Sequence, residues 1–306
     1  MEDEKILTIG GQAVIEGVMM RSPEKVAIAV RKPNGDIVVK THPFISVTKK
    51  IKPLGLPVLR GAVTLIEAIY MGIKALSFSG DVALMDGDEP PPQKSVWNHL
   101  GMTFTVIISF GLGLGLFFYL PLLLTELLHL ESGFMFNLVD GIIRLLIFLA
   151  YIYVITMWKD IRRVFEYHGA EHKSVSAFED HKAFTVEATK PYSTLHPRCG
   201  TSFLLIVMIV SILVFMFLGK PETVSERLIR LAFIPLIGGI SYEFIRLSAK
   251  EYKNKFFRIL VQPGLWLQRL TTKEPDESQL EVAIVAMKTA LGKEPGVGIS
   301  KVNILN

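Results

Sequence analysis

The chain has 306 residues, half of them hydrophobic and 20% charged, with 33 basic against 29 acidic side chains and a formal net charge of +4. This composition excludes collagen-like and disordered classes. The lone cysteine, Cys199, excludes a disulfide scaffold, and the near-balance of charge argues against nucleic acid as a partner.

The N-terminal twenty residues begin acidic and lack an apolar core followed by a small-residue cleavage site, so no signal peptide is expected there. Lys25–Lys32 and Asp36–Lys40 alternate apolar and polar residues around Asn34-Gly35, a hairpin signal. Ile6–Met20, with Gly10, Gly11 and Gly17, adds strands or a close backbone approach. Residues 1–57 are therefore expected to form a small β-rich domain. Within it, Gln12, Glu16 and Arg21 either line a site or stand as polar groups on a strand face. Over 58–80, Ala62, Leu65, Ile66, Ile69, Ile73 and Leu76 recur at helical spacing. That helix either packs on the β domain or lies in a membrane interface. A linker at 81–98 follows, acidic and proline-rich at Asp86–Gln93.

Four apolar runs approach the roughly 20 residues that cross a hydrocarbon core of about 30 Å. They lie at Met102–Leu124, Leu138–Trp158, Ser202–Leu218 and Leu228–Leu247, within a transmembrane domain at 99–248. Asp140 and Arg144, at i and i+4 in the second run, suit a pair on one helix face. Lys and Arg number twelve in residues 1–98, seven in 159–202 and nine after Ala249, against none and two in the connections 125–137 and 219–227. Positive charge marks the cytoplasmic side, so both termini and the loop 159–201 are expected there. In the C-terminal segment 249–306, Pro275–Leu291 reads as a helix capped by Ser278 and Glu281.

The chemistry concentrates in the central loop. His168-Gly169-Ala170-Glu171-His172 is an H-x-x-E-H pattern, which on a helix puts both imidazoles on one face with Glu171 beside them. This is the inverted zincin spacing, in which two histidines hold zinc and the glutamate serves as general base toward a water acidified by the metal. The second span is expected to continue past Trp158 as one helix, aligning Ile161, Val164, Phe165, His168, His172 and Val175 in a stripe. A catalytic zinc needs a third protein ligand and an open position; a structural zinc needs four ligands. His196 and Cys199, in Leu195–Gly200 before the third span, are the best further donors, and Glu243 is another. His181 sits in a polar stretch and reads as a surface histidine.

With those residues in view, the chain resembles the YqhQ-like family of bacterial integral membrane proteins, which carries a domain of unknown function described as a predicted metal-dependent enzyme. The resemblance rests on GGQAVIEGVMMR at Gly10–Arg21, LRGAVTLIEAI at Leu59–Ile69, EYHGAEHKSV at Glu166–Val175, HPRCGTSF at His196–Phe203 and EPDESQLEVAI at Glu274–Ile284. It implies a four-span membrane protein with a metal site, and no substrate. The expectation is thus an α+β membrane protein of the bacterial cytoplasmic membrane. It binds a divalent metal, zinc by preference, through His168, His172 and either His196 or Cys199, with Glu171 catalytic, whereas His168, His172, His196 and Cys199 together would make a closed, structural site. The function is metal-dependent hydrolysis of a protein or lipid-linked substrate; the alternative is a non-catalytic scaffold or regulator with a structural metal.

Overall fold

A computed structural model describes residues 9–85, 96–250, 254–295 and 301–305; the acidic, proline-rich stretch at 86–93 lies outside them. The N-terminal strands β1 (Gly10–Val14), β2 (Gly17–Arg21), β3 (Lys25–Arg31) and β4 (Ile37–Pro43) form an antiparallel meander. The Ile15-Glu16 turn closes the first hairpin, with Glu16 at a φ of +50°. In the second hairpin, Asn34-Gly35 is not the centre of a two-residue turn. The connection is wider: Lys32 N–H reaches Asp36 O at 2.8 Å, and Gly35, at φ +93°, donates to Lys32 O at 2.9 Å. A fifth strand, β5 (Val302–Leu305), adds parallel to β4, pairing Ile37 with Val302.

Alternation buries both faces of this sheet. Val18, Met20, Ala27, Ala29, Ile37 and Val39 face α6 (Lys159–Glu179) and α12 (Glu277–Ala290). Val14, Met19, Val26, Ile28, Val30 and Val38 face Ala75, Phe78 and Val82 of α2 (Leu59–Ala83). Period-two patterning with apolar residues at both phases is what a sheet sandwiched between helices requires. Between β4 and α2 stand only the short helix α1 (Val47–Lys50) and a 3₁₀ turn at Lys52–Gly55.

The apolar helices follow. α3 (Val96–Leu114) runs through a π-helical turn at Gly115–Tyr119 into α4 (Leu120–Glu126), where Pro121 cannot donate to the preceding turn. α5 (Gly133–Ile155) starts at an N-cap, Ser132, and α8 (Gly200–Met216) at Cys199. α9 (Val224–Ala232) leads into α10 (Ile234–Lys250), and α11 (Lys255–Thr271) packs back on α8. Among the described residues, four helical segments are long and apolar enough to cross a membrane: Leu59–Ala83, Thr103–Glu126, Gly133–Ile155 and Val224–Ser248. The set differs from the sequence expectation in one member. The run expected as the third span is a 17-residue helix, ended at Phe217 and turned at Gly219 (φ +73°), whereas α2, expected to pack on the β domain or lie in the interface, is 25 residues long and joins the set.

Two further local expectations are corrected. The helix expected to run unbroken past Trp158 stops at Ile155; Trp158 takes an extended conformation (φ −80°, ψ 131°) and caps a separate α6. The capping box of α12 uses Asp276 and Gln279 in place of Ser278 and Glu281. Asp276 accepts from Gln279 N–H at 2.8 Å, Gln279 accepts from Asp276 N–H at 2.9 Å, and Glu281 is engaged with Arg31 at 2.7 Å.

Charged side chains inside the apolar helices find partners. Arg144 meets Asp140 at 2.7 Å, and Arg230 donates to Asn137 Oδ1 at 2.7 Å and to Gly219 O at 2.5 Å. Burial makes such pairing obligatory, since an unpaired charge there costs several kcal/mol.

Candidate metal centre

α6 carries the two histidines one turn apart on its inner face, with ring centroids 4.4 Å apart. α7 (Val186–Thr189) and the Pro191–Pro197 connection return the chain so that Cys199, at the start of α8, lies against them. Cys199 Sγ is 3.2 Å from His168 Nε2. One ligand atom from each of His168, His172 and Cys199 lies within 4.8 Å of the others. Zn–N distances of about 2.0–2.1 Å and Zn–S of about 2.3 Å at tetrahedral angles require donor separations of about 3.4–3.6 Å, and the 3.2 Å between Cys199 and His168 is close to that.

The orientation of the rings is more telling than their proximity. His168 Nδ1 lies 2.7 Å from Thr271 O and His172 Nδ1 2.5 Å from Thr194 O. A carbonyl only accepts, so each Nδ1 carries a proton, and in the neutral ring each Nε2 keeps a lone pair for a metal. A carbonyl behind a metal-ligating imidazole fixes its tautomer in just this way. Thr201 N–H and the helix start beside Cys199 supply partial positive charge where a ligating sulfur would carry negative charge. The donor set therefore fits a borderline-soft divalent ion such as zinc.

His196 stands apart from the trio. Its ring centroid is 5.8 Å from that of His172; its Nδ1 accepts from Arg198 N–H at 3.3 Å and its Nε2 faces Glu179 Oε2 at 3.4 Å. The proton is thus on Nε2, the opposite tautomer to the other two. Burial holds this imidazole below the ordinary histidine range, while Glu171 acts in the other direction. Glu179 also pairs with Arg198. Glu171 is where the pattern puts it: only 6% exposed, with Oε2 3.4 Å from His172 Nε2. Glu243 is not in the cluster. It forms a two-pronged pair with Arg60 across α10 and α2, at 2.6 and 2.5 Å. His181 is exposed at the end of α6.

The N-terminal polar residues brace the frame. Glu16 accepts from Arg163 at 2.5 Å through both oxygens and from Tyr167 OH at 3.3 Å; burial and that carboxylate push the Tyr167 hydroxyl well above its ordinary value. Arg21 lies over the Phe44 ring and 3.9 Å from Glu67. Gln12 sits in the notch at Gly72 of α2.

Three supports had no reading in the sequence. The carbonyls of Thr194 and Thr271 belong to the backbone, which any residue supplies, so no side-chain pattern marks them. Lys173, buried beside His172, donates to Lys190 O at 2.8 Å and pairs with Glu274, tying both flanking segments to α6. Gln268 is fully buried on α11. It accepts from His196 N–H at 2.8 Å and donates to His196 O at 2.9 Å and Ser202 Oγ at 2.8 Å. A glutamine inside the buried stripe of an amphipathic helix was the available signal. Gln268→Leu strands the His196 amide and carbonyl, and a loss of about 2–4 kcal/mol is expected, read as a lower melting temperature of the purified protein.

The comparisons agree with this picture at the level of family. A model described as "Protein of unknown function (DUF1385)" matches residues 56–293, which include every residue of the candidate centre. The uncharacterized protein YqhQ of Bacillus subtilis (strain 168) is 35% identical over 301 residues, spanning 93% of this chain and 92% of that protein. No solved structure matches. A match over most of both chains, joined to a family model that covers the helices and the centre they build, means that this chain belongs to the DUF1385 family, with YqhQ of Bacillus subtilis among its relatives.

Proposed function

We propose that this protein is a membrane-embedded, zinc-dependent hydrolase of the bacterial cytoplasmic membrane, with its reaction centre at the inner face. The observation that carries the reading is the trio His168, His172 and Cys199 with both histidine Nε2 atoms turned inward and Glu171 beside them. Three donors leave a tetrahedral ion one position for water or substrate, which is the arrangement of catalytic zinc.

Bound there, the ion supplies Lewis acidity and a more acidic water near neutral pH. The chain's own groups do the rest. Thr271 O and Thr194 O hold the imidazoles in register. Glu171, a buried carboxylate next to the centre, takes a proton from the attacking water and passes it to the leaving group, so that one carboxyl group serves as base and then as acid. Gln268 holds the loop that delivers Cys199.

Placement in the bilayer is supported by the long apolar helices and by the 28 of 33 basic residues in the segments 1–98, 159–202 and 250–306. α3–α4, α5, α8 and α9–α10 are the spans of this arrangement, and both termini stay in the cytoplasm. At roughly 1.5 Å per residue, α8 reaches roughly 25 Å, which suffices with slight local thinning. α2 is excluded from the set because Ala75, Phe78, Ser79 and Val82 are buried against the sheet, and a sheet with an edge has no place in hydrocarbon.

The competing reading is a scaffold or regulator in which a structural metal has four protein ligands. The two separate without a substrate. Cobalt(II)-loaded protein in detergent is expected to show the ligand-field and sulfur-to-metal bands of a tetrahedral His₂Cys site and to change its spectrum when acetohydroxamate is added. Glu171→Gln is expected to keep the cobalt bands. A spectrum indifferent to acetohydroxamate, or loss of cobalt in Glu171→Gln, identifies a closed site and defeats the hydrolase reading.

A further inference from the structure

We propose that the substrate is an extended peptide segment, taken up as an added strand along the free edge of β1 and cleaved at the adjoining centre; the inference rests on the hydrolase reading. β1 is an outer strand: the sheet order is β1-β2-β3-β4-β5, and among the described residues no strand lies beyond β1. The two-residue turn makes Val14–Gly17 the closing hydrogen-bonded pair, so Gln12–Met19 and Gly10–Arg21 are hydrogen-bonded pairs in turn. The N–H and C=O of Gly11 and Ala13 therefore point out of the sheet.

This edge lacks the usual protections. Gly10-Gly11-Gln12-Ala13 contains no charge, no proline and no large side chain, although exposed edges are normally guarded by such residues. Both faces of the hairpin are covered while the edge is left: Ile15 N–H donates to Ser79 Oγ of α2 at 3.2 Å on one side, and α6 lies on the other. The strand also adjoins the chemistry, through its α6-facing side. A Cβ added to Gly11 would stand 2.8 Å from Glu171 Cγ, and Glu171 Oε2 is 3.4 Å from His172 Nε2. One carboxylate side chain thus separates the strand from the metal donors.

Alternating outward donors and acceptors at a two-residue repeat match the main chain of a peptide and no part of a lipid. In the step, a water oxygen bonds to the peptide carbonyl carbon, the C–N bond breaks, and the proton taken by Glu171 goes to the leaving nitrogen, giving a carboxylate and an amine. No oxidant or other reactant is needed.

The test uses full-length, zinc-loaded protein in detergent with a library of random peptides of about ten residues, cleavage being read by mass spectrometry. The peptide that immobilised protein retains most strongly, cut or uncut, is then N-methylated at each backbone position in turn, and its binding is followed by fluorescence anisotropy. Weakening by about three- to tenfold at alternate positions, with little change between them, is expected. Ala13→Pro, which removes an outward N–H, is expected to weaken binding by a similar factor, whereas Ala13→Ser, which keeps it, is not. The binding pattern is also expected in EDTA-stripped protein, so a failure of the metal reading leaves it in place. No bound peptide, a flat N-methyl profile, or equal binding by Ala13→Pro and Ala13→Ser overturns the proposal. So does efficient Ala13→Cys cross-linking between two copies, which assigns the edge to a second chain.

Discussion

Cys199→Ser is expected to lower the zinc of the purified protein from about one ion per chain to background, while His196→Ala keeps it. The two residues are three positions apart on the same loop, and the sequence treats them as equals. The structure separates them by direction. Cys199 Sγ points at His168 Nε2, 3.2 Å away; His196 turns to Glu179 and Arg198. A serine hydroxyl is a poor replacement because it is neither soft nor readily deprotonated, so the site falls to two imidazoles. His168→Ala and His172→Ala are expected to match Cys199→Ser. Elemental analysis after gel filtration checks all four variants. Retention of zinc by Cys199→Ser, or its loss from His196→Ala with an unchanged melting temperature, would show that the ligand set is wrong.

What the sequence made legible follows from the range of each signal. The H-x-x-E-H spacing and the hairpins are local, and local geometry follows from a few neighbouring residues. The pair Asp140–Arg144 was visible for the same reason. β5 was not, since a four-residue strand pairing in parallel with β4 from the far end of the chain leaves no mark in its own composition. The break at Trp158 was missed because the apolar stripe runs through it, and periodicity does not report where a helix changes direction. Glu243 looked like a ligand because it was an acidic residue at an apparent span end. Its partner Arg60 lies 183 positions away, a distance over which charge pairing is invisible in one sequence. The same holds for Arg163 with Glu16. His196 and Cys199 could be nominated together but not told apart, because a tautomer is decided by backbone carbonyls and carboxylates brought in from other elements.

Gly169→Ala is expected to weaken zinc binding by about 10–100-fold without touching a ligand, and to destabilise the protein by about 1–3 kcal/mol. Gly169 lies between His168 and Ala170 in the motif, where a helix would ordinarily gain from alanine. Here a Cβ would stand 2.0 Å from Lys273 O and 3.2 Å from Thr194 Cγ2. The first is a backbone atom in a segment with little freedom, because Lys273 N–H already donates to Phe165 O at 2.9 Å. Something must move by more than 1 Å to restore an ordinary contact. The segment that moves includes Thr271, whose carbonyl orients His168, and the second contact presses on Thr194, whose carbonyl orients His172. The methyl therefore loosens both histidines through the groups behind them. Gly200→Ala is the matched control, since its Cβ would meet nothing within 4 Å although it adjoins Cys199. Competition with a chromophoric chelator reads both affinities. Equal zinc affinity in Gly169→Ala and wild type would mean that the carbonyls of Thr271 and Thr194 do not position the centre, and the tautomer assignment built on them would fall with it.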